Sequence, residues 1–402
     1  MSHMIIYPSD MASRVQPLLL SFIWFLLLGH NEVAANWGLS REEEVRFKQQ
    51  LTSLEKSAVK TIHEGGDIYD CVDFYTQPGF SHPFWKNTTY QTKRKLFMQG
   101  LRSTEKLPLN IGLKDGGCPY GTVPIKRTGK DELHSELYPS NLEEEPGHHY
   151  AVLQTKPDPN TMLVGTESYF GLYNPKGVNG SQFSSFRLKI SNGGDSIKAG
   201  FMVYPLLFKD TKTRLFAHVV VEKKMQCYNQ GCPGYVQNSP RIPLGWPISH
   251  TSVVGGHQYA IRLQISKQYI STGPNSTEYI WSLQFYDNMY TYVGMWPAAM
   301  FGSLYNVGNQ ADWGGEVYSP PDQPSPHMGT GILPQPNGES RYAHSRGIAI
   351  SYPNSRSLYV NPDDTILYAS DPKFYNIMDR GYMNDNWGRM ILYDGPGGIK
   401  GA

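Results

Sequence analysis

From residue 148 onward the apolar residues recur at every second position, and that period constrains the fold more than any other feature of the chain. Phe186, Leu188 and Ile190 alternate with Arg187 and Lys189. Tyr259, Ile261, Leu263 and Ile265 alternate with Ala260, Arg262, Gln264 and Ser266, and Tyr279, Trp281, Leu283 and Phe285 repeat the pattern. Successive side chains of a strand point to opposite faces, so each run predicts a strand with one buried face. Gly, Pro, Asn and Asp separate the runs, and many strands joined by such turns predict an antiparallel β-sandwich. The 27 tyrosines and 8 tryptophans are expected mainly to fill its core.

The start of the chain follows a different rule. Ser40 with Glu43 forms a capping box, and Phe47, Leu51, Leu54, Ala58 and Ile62 recur at helical spacing until Gly65-Gly66, which predicts one long helix stopped by the glycines. Residues 67 to 127 mix short strands with prolines. Residues 128 to 147 hold Lys130-Asp131-Glu132 and Glu143-Glu144-Glu145-Pro146, offer little to bury, and predict a linker. Upstream of all this, Arg14, an apolar run from Leu18 to Leu28 and the small residues Val33-Ala34-Ala35 have the layout of a secretory signal peptide cut after Ala35. The run is short of the ~20 apolar residues that span a bilayer, with a signal anchor as the alternative. The expected organisation is a signal peptide over 1–35, a small α+β domain over 36–127, a linker over 128–147 and the sandwich over 148–402.

Charge narrows the partners. A formal net charge of +1, with 18% charged residues, gives no electrostatic footprint for nucleic acid or an anionic membrane. Lys93-Arg94-Lys95 reads as a solvated face. Four cysteines suit an oxidising compartment; they permit three pairings, of which Cys71 with Cys118 and Cys227 with Cys232 is the most economical. Their spacing is not that of paired zinc knuckles, and His148-His149 lacks a third ligand in register, so no metal and no cofactor is expected. Asn87, Asn179 and Asn275 each open a glycosylation sequon. No Gly-x-Ser-x-Gly elbow, His-Glu-x-x-His helix or phosphate-binding glycine loop is present.

Many separate blocks, in order, carry a family resemblance. They include Asp70-Cys71-Val72-Asp73, Gln77-Pro78-Gly79-Phe80-Ser81-His82-Pro83 and Cys118-Pro119-Tyr120-Gly121 in the first half. In the second half are His149-Tyr150-Ala151-Val152, Cys227-Tyr228-Asn229 with Cys232-Pro233-Gly234-Tyr235, Met295-Trp296-Pro297 and Trp313-Gly314-Gly315-Glu316-Val317. The chain resembles the neprosin family, plant secreted glutamic peptidases that carry an N-terminal activation-peptide domain. The resemblance implies a β-sandwich with its cleft on one sheet, cleavage after proline, and secretion to the apoplast or cell wall as a monomer. It also implies that Glu316 is one of two catalytic glutamates. The second should lie in Ile197-Lys198-Ala199-Gly200-Phe201, where the family pattern reads Ile-Glu-Ala-Gly-Trp, so Lys198 stands at the partner position. Phe374 before Tyr375, where the family commonly has Cys-Tyr, is a second departure.

Hydrolysis by two carboxyl groups needs one ionised to activate water and one protonated to donate, and adjacent carboxylates supply both by pushing their pKa values apart. A lysine in place of one removes the shared proton. The expected function is therefore a peptide-binding protein, its ligand a peptide or proline-rich segment, with weak or no peptidase activity. An active acid-optimum prolyl endopeptidase and a cell-wall carbohydrate-binding sandwich are the alternatives, the first with Gln182, Glu167 or Glu222 standing in for the missing acid. From the residues alone, Gly314 and Gly315 read either as a bare backbone that a substrate strand approaches or as a bulge beside an exposed acid.

Overall fold

The computed structural model describes Val45, Gln49 and residues 55–400, apart from positions 86–87, 105–110, 140–145, 223, 274–275, 288, 337–340 and 356. The expected signal peptide, the capping box with Phe47, Leu51 and Leu54, and the sequons at Asn87 and Asn275 lie outside those residues. The described residues belong to one compact unit. In chain order its strands begin with β1 (Lys60–Glu64), β2 (Asp67–Asp73), β3 (Thr122–Lys126), β4 (His148–Thr155), β5 (Gly165–Gly171), β6 (Phe183–Asn192), β7 (Asp195–Val203), β8 (Arg214–Val221), β9 (Met225–Tyr228) and β10 (Val236–Gln237). They continue with β11 (Ala260–Gly273), β12 (Ser276–Asp287), β13 (Met289–Pro297), β14 (Gln310–Tyr318), β15 (His344–Ser351), β16 (Leu358–Tyr359), β17 (Thr365–Ala369), β18 (Asn376–Tyr382) and β19 (Arg389–Asp394).

Among the described residues these strands make three antiparallel sheets. A small sheet runs β1-β2-β3; a seven-stranded sheet runs β17-β4-β14-β6-β7-β8-β9; and a nine-stranded sheet runs β10-β13-β12-β11-β5-β15-β19-β18, with β16 on β15. The two large sheets pack face to face as the alternating apolar residues require. Phe186 and Phe201 of the first meet Phe170 and Phe285 of the second at ring distances of 6.5 and 6.4 Å. Trp313 joins the layers by donating its indole N–H to Thr166 Oγ1 at 2.9 Å. Trp281, Trp296 and Trp313 are all fully buried, so these tryptophans do serve the core, while Trp387 stays exposed.

Two local readings of the N-terminal region are overturned. Ile62 lies in β1, not on a helix, and Gly65-Gly66 is the two-residue turn of a β1–β2 hairpin. Both glycines have positive φ, +64° and +94°, the backbone that a tight hairpin turn demands and that only glycine takes without strain. The helical period ran on into β1 because Ala58 and Ile62 happen to be four apart. Residues Glu55 to Ser57 are helical. A further helix of this region is α1 (Tyr90–Thr104).

The stretch expected as a linker holds a second helix, α2 (Lys130–Leu137), with Glu132, Leu133, Glu136 and Leu137 buried. Glu132 and Glu136 are buried because partners receive them, while Asp131 stays exposed. Glu132 pairs with Lys126, and Glu136 accepts the Gly231 N–H at 3.0 Å in the loop closed by Cys227–Cys232. The other disulfide joins Cys71 of β2 to Cys118, so both economical pairings are present. Further contacts tie the N-terminal region to the sandwich: Gln77 exchanges two hydrogen bonds with the Gln237 backbone, and Trp85 Nε1 donates to Gly234 O at 2.7 Å.

Burial pushes the Glu136 carboxyl up to about 8, against the opposing pull of Lys126 and of the Asn229 and Gly231 hydrogen bonds. The folded chain thus holds a proton that the unfolded chain releases near pH 4.5, so between those values stability falls as pH rises, by at most about 1.4 kcal/mol per unit. Glu136→Gln, uncharged throughout, is expected to flatten that slope. Denaturant midpoints from pH 5 to 8 measure it; an unchanged profile would sink this account.

Candidate functional site

The polar positions of the seven-stranded sheet converge on one carboxylate. Glu316 lies on β14, paired with Ser185 of β6 and Tyr150 of β4. Period two puts Asp312 and Glu316 on one face and Ala311, Trp313 and Val317 on the core face. The same rule brings Arg187 of β6 and Lys198 of β7 onto the face of Glu316. Lys198 Nζ donates to both Glu316 oxygens, at 2.9 and 2.8 Å, across the intervening strand β6. Arg187 Nε donates to Oε2 at 3.1 Å, and the same guanidinium pairs with Asp312. His148 Nδ1 lies 3.2 Å from Oε1. Two carboxylates, Asp312 and Glu316, thus meet Arg187, Lys198 and His148 in one cluster.

The cluster is dry. Glu316 is 0% and Lys198 4% exposed, which excludes the reading of Glu316 as an exposed acid beside a bulge. Burial alone would raise the Glu316 carboxyl. Lys198, the His148 hydrogen bond and Arg187 outweigh it and hold the group well below the usual carboxylate range. Its proton is therefore absent at any ordinary pH. As a depressed carboxylate it contributes stability that is full above the unfolded value of about 4.5 and lost as pH falls through the folded one.

The glycines before Glu316 serve the protein's own packing rather than a substrate strand. Gly314 has φ +141°, and a Cβ there would meet the Ala151 carbonyl oxygen at 2.3 Å; at Gly315 it would meet Met328 Sδ at 2.3 Å. Moreover, β14 is hydrogen-bonded on both edges, to β4 and β6, so it has no free edge for a peptide to join. Gly200 has a related task. It is paired with Arg187, and a Cβ there would crowd the Arg187 backbone and Cβ at 2.7 and 2.8 Å.

The candidate stand-ins for a second acid sit elsewhere. Glu167 belongs to the nine-stranded sheet, where Arg262 Nη2 and Tyr290 OH each reach it at 2.5 Å. Gln182 binds Ser319 Oγ and the Pro324 carbonyl, and Glu222 packs over Gly194 beyond the end of β8. His148 and His149 point to opposite faces of β4; His149 Nδ1 lies 2.7 Å from Asp371 Oδ2. They serve two different carboxylates and share no ligand. Asn179 is exposed in its turn, with its side-chain amide donating to Gly177 O. The residues that sequence reasoning left out are Arg187, Asp312 and the contact of His148. The signal was present in period two, since Asp312 lies four residues before Glu316 and Arg187 interrupts an aliphatic run.

The family model described as neprosin matches residues 180–396, more than half of the chain, and the neprosin activation peptide matches residues 60–161. The chain belongs to the neprosin family. The activation-peptide match runs through β4, so in this neprosin-family chain the strand bearing His148 falls within that match while Arg187, Lys198 and Glu316 fall within the other. Two crystal structures of scytalido-glutamic peptidase, with a transition state analog inhibitor and with a peptide based transition state analog, also resemble it. Their identities are 9% and 7% and their TM-scores 0.30 and 0.32, each covering 62% of this chain and 98% of theirs. At that distance the likeness carries nothing about this chain's chemistry.

Among the described residues no helix is long and apolar enough to cross a membrane.

Proposed function

We propose that the protein binds a peptide, proline-rich by family resemblance, on the polar face of its seven-stranded sheet, with weak or no peptidase activity. One observation carries the reading: Lys198 Nζ is hydrogen-bonded to both oxygens of Glu316. An ammonium in that position keeps Glu316 ionised and occupies the lone pairs with which it would activate water. Neither half of a carboxyl dyad is then available. Lys198 and Glu316 instead form, with Arg187 and His148, a buried ion-pair cluster that fixes the strands of that face rather than meeting the ligand. The two disulfides support a secreted protein, since such bonds persist in oxidising compartments. We take it to be a monomer glycosylated at Asn179.

The purified chain is expected to bind a proline-rich peptide by calorimetry and to leave it uncut at acid pH after hours of incubation, as read by mass spectrometry. Rapid cleavage that disappears in Glu316→Gln would replace this reading with an active glutamic peptidase. Absence of peptide binding would remove the recognition role.

A further inference from the structure

A cavity of about 500 Å³ opens at the far end of β4, between β4 and the β15–β16 edge. It is separate from the ion-pair cluster: Thr155 on its wall lies five residues along β4 from Tyr150, the partner of Glu316, or roughly 17 Å at strand rise. Its floor is Ile350 and Val360, both part of the core. Its rim carries two aromatic rings, Tyr352 at 36% and Tyr359 at 47% exposure. Large aromatic faces left in water at the mouth of a polar cavity need an occupant to justify them.

We propose that this cavity binds a neutral oligosaccharide. A sugar ring has an apolar face of C–H bonds and a periphery of hydroxyls, each both donor and acceptor. The cavity offers both halves. Tyr352 and Tyr359 supply flat apolar surface, while Asp158 and Asp364 accept, Lys156 donates and Asn361 does both. Asp158 is held in place by Asn160 N and Thr161 Oγ1, at 2.9 and 3.2 Å. No ion pair engages Lys156 or Asp364 among the described residues. Charge decides against an acidic ligand: one cation faces two carboxylates, so a uronate or phosphate would meet net repulsion.

The aromatic rim is braced rather than loose. Tyr359 donates its hydroxyl to Asp385 O at 3.3 Å and meets the Tyr382 ring edge-on at 5.7 Å. Gly388, at φ +62°, lets it lie close, since a Cβ there would stand 2.6 Å from the Tyr359 ring. Beyond it, Trp387 is backed by Arg346 at 4.7 Å, which stacks on Tyr169 at 4.2 Å. Arg262 lies over Tyr169 and Tyr286 in turn, a ladder in register across β15, β5, β11 and β12. Rings fixed in this way lose little freedom on binding. Tyr382 and Trp387, at 54% and 41% exposure, continue the surface away from the cavity for the sugar units that follow.

Isothermal titration with cellohexaose, xylohexaose and mannohexaose, and with hexagalacturonate as the acidic comparison, tests the site. At least one neutral hexasaccharide is expected to bind, at least tenfold tighter than hexagalacturonate. Tyr359→Ala and Asp364→Ala, each checked for folding by circular dichroism, should each weaken it tenfold or more, and Tyr279→Ala, an exposed ring elsewhere on the sheet, should leave it unchanged. No heat from any neutral sugar at millimolar concentration would overturn the proposal. So would preference for the galacturonate, an affinity indifferent to Asp364→Ala, or an equal loss in Tyr279→Ala.

Discussion

Glu316→Ala is expected to destabilise the folded chain by about 3–5 kcal/mol, the cost of leaving buried cations without their partner. Lys198 and Arg187 both donate to this carboxylate, and neither is more than 5% exposed at its side chain. The wild-type cluster does not itself add that much stability, since bringing the charges out of water cost nearly as much as their attraction returned. A double-mutant cycle separates the two. Lys198→Met alone should cost less, because Arg187 and His148 still face Glu316, and Glu316→Ala with Lys198→Met should cost less than the sum of the single changes. Denaturant midpoints at neutral pH measure all four proteins. A change below about 0.5 kcal/mol for Glu316→Ala, the range of ordinary surface substitutions, would contradict a dry, fully paired cluster.

Lys198→Glu is expected to create acid-optimum cleavage of proline-containing peptides, on the order of 10²–10⁴-fold above the unaltered chain, the usual contribution of a positioned acid or base. The substituted carboxyl would stand on the same sheet face as Glu316, two strands away. Two such groups with Arg187 between them cannot both ionise freely, so one pKa rises while the Arg187-bound member stays low. Activity should then appear as pH falls towards the raised value and disappear below the depressed one. Adding Glu316→Gln to Lys198→Glu should abolish the gain. Cleavage by the unaltered chain that survives Glu316→Gln would show that the chemistry lies outside this cluster altogether.

How much of this was legible in the sequence can be judged residue by residue. Phe186, Leu188 and Ile190 announced both their strand and its inward face, because side-chain direction in a strand follows from position alone. The family motif around Glu316 and its counterpart at Lys198 could be read as text, and so could the economical cysteine pairing. The polar partners of those strands could not. Arg187 and Lys198 sit where period two predicts solvent, yet both are buried. Alternation says which face a residue takes, and says nothing about what covers that face.

The remaining differences have the same origin. Gly65-Gly66 reads equally as a helix stop and a hairpin turn, and the pairing of β1 with β2, which begins directly after it at Asp67, made it the latter. The acidic stretch at Lys130–Leu137 reads as linker because a buried carboxylate is costly alone; Lys126, six residues before Glu132, and Gly231, 95 residues beyond Glu136, are what make burial possible. By itself, then, the sequence determined the strand periodicity, a preferred but not unique cysteine pairing, and the family. Only the tertiary structure decided which further charges meet, because pairs such as Arg187 with Glu316 join positions 129 residues apart and no local pattern records them.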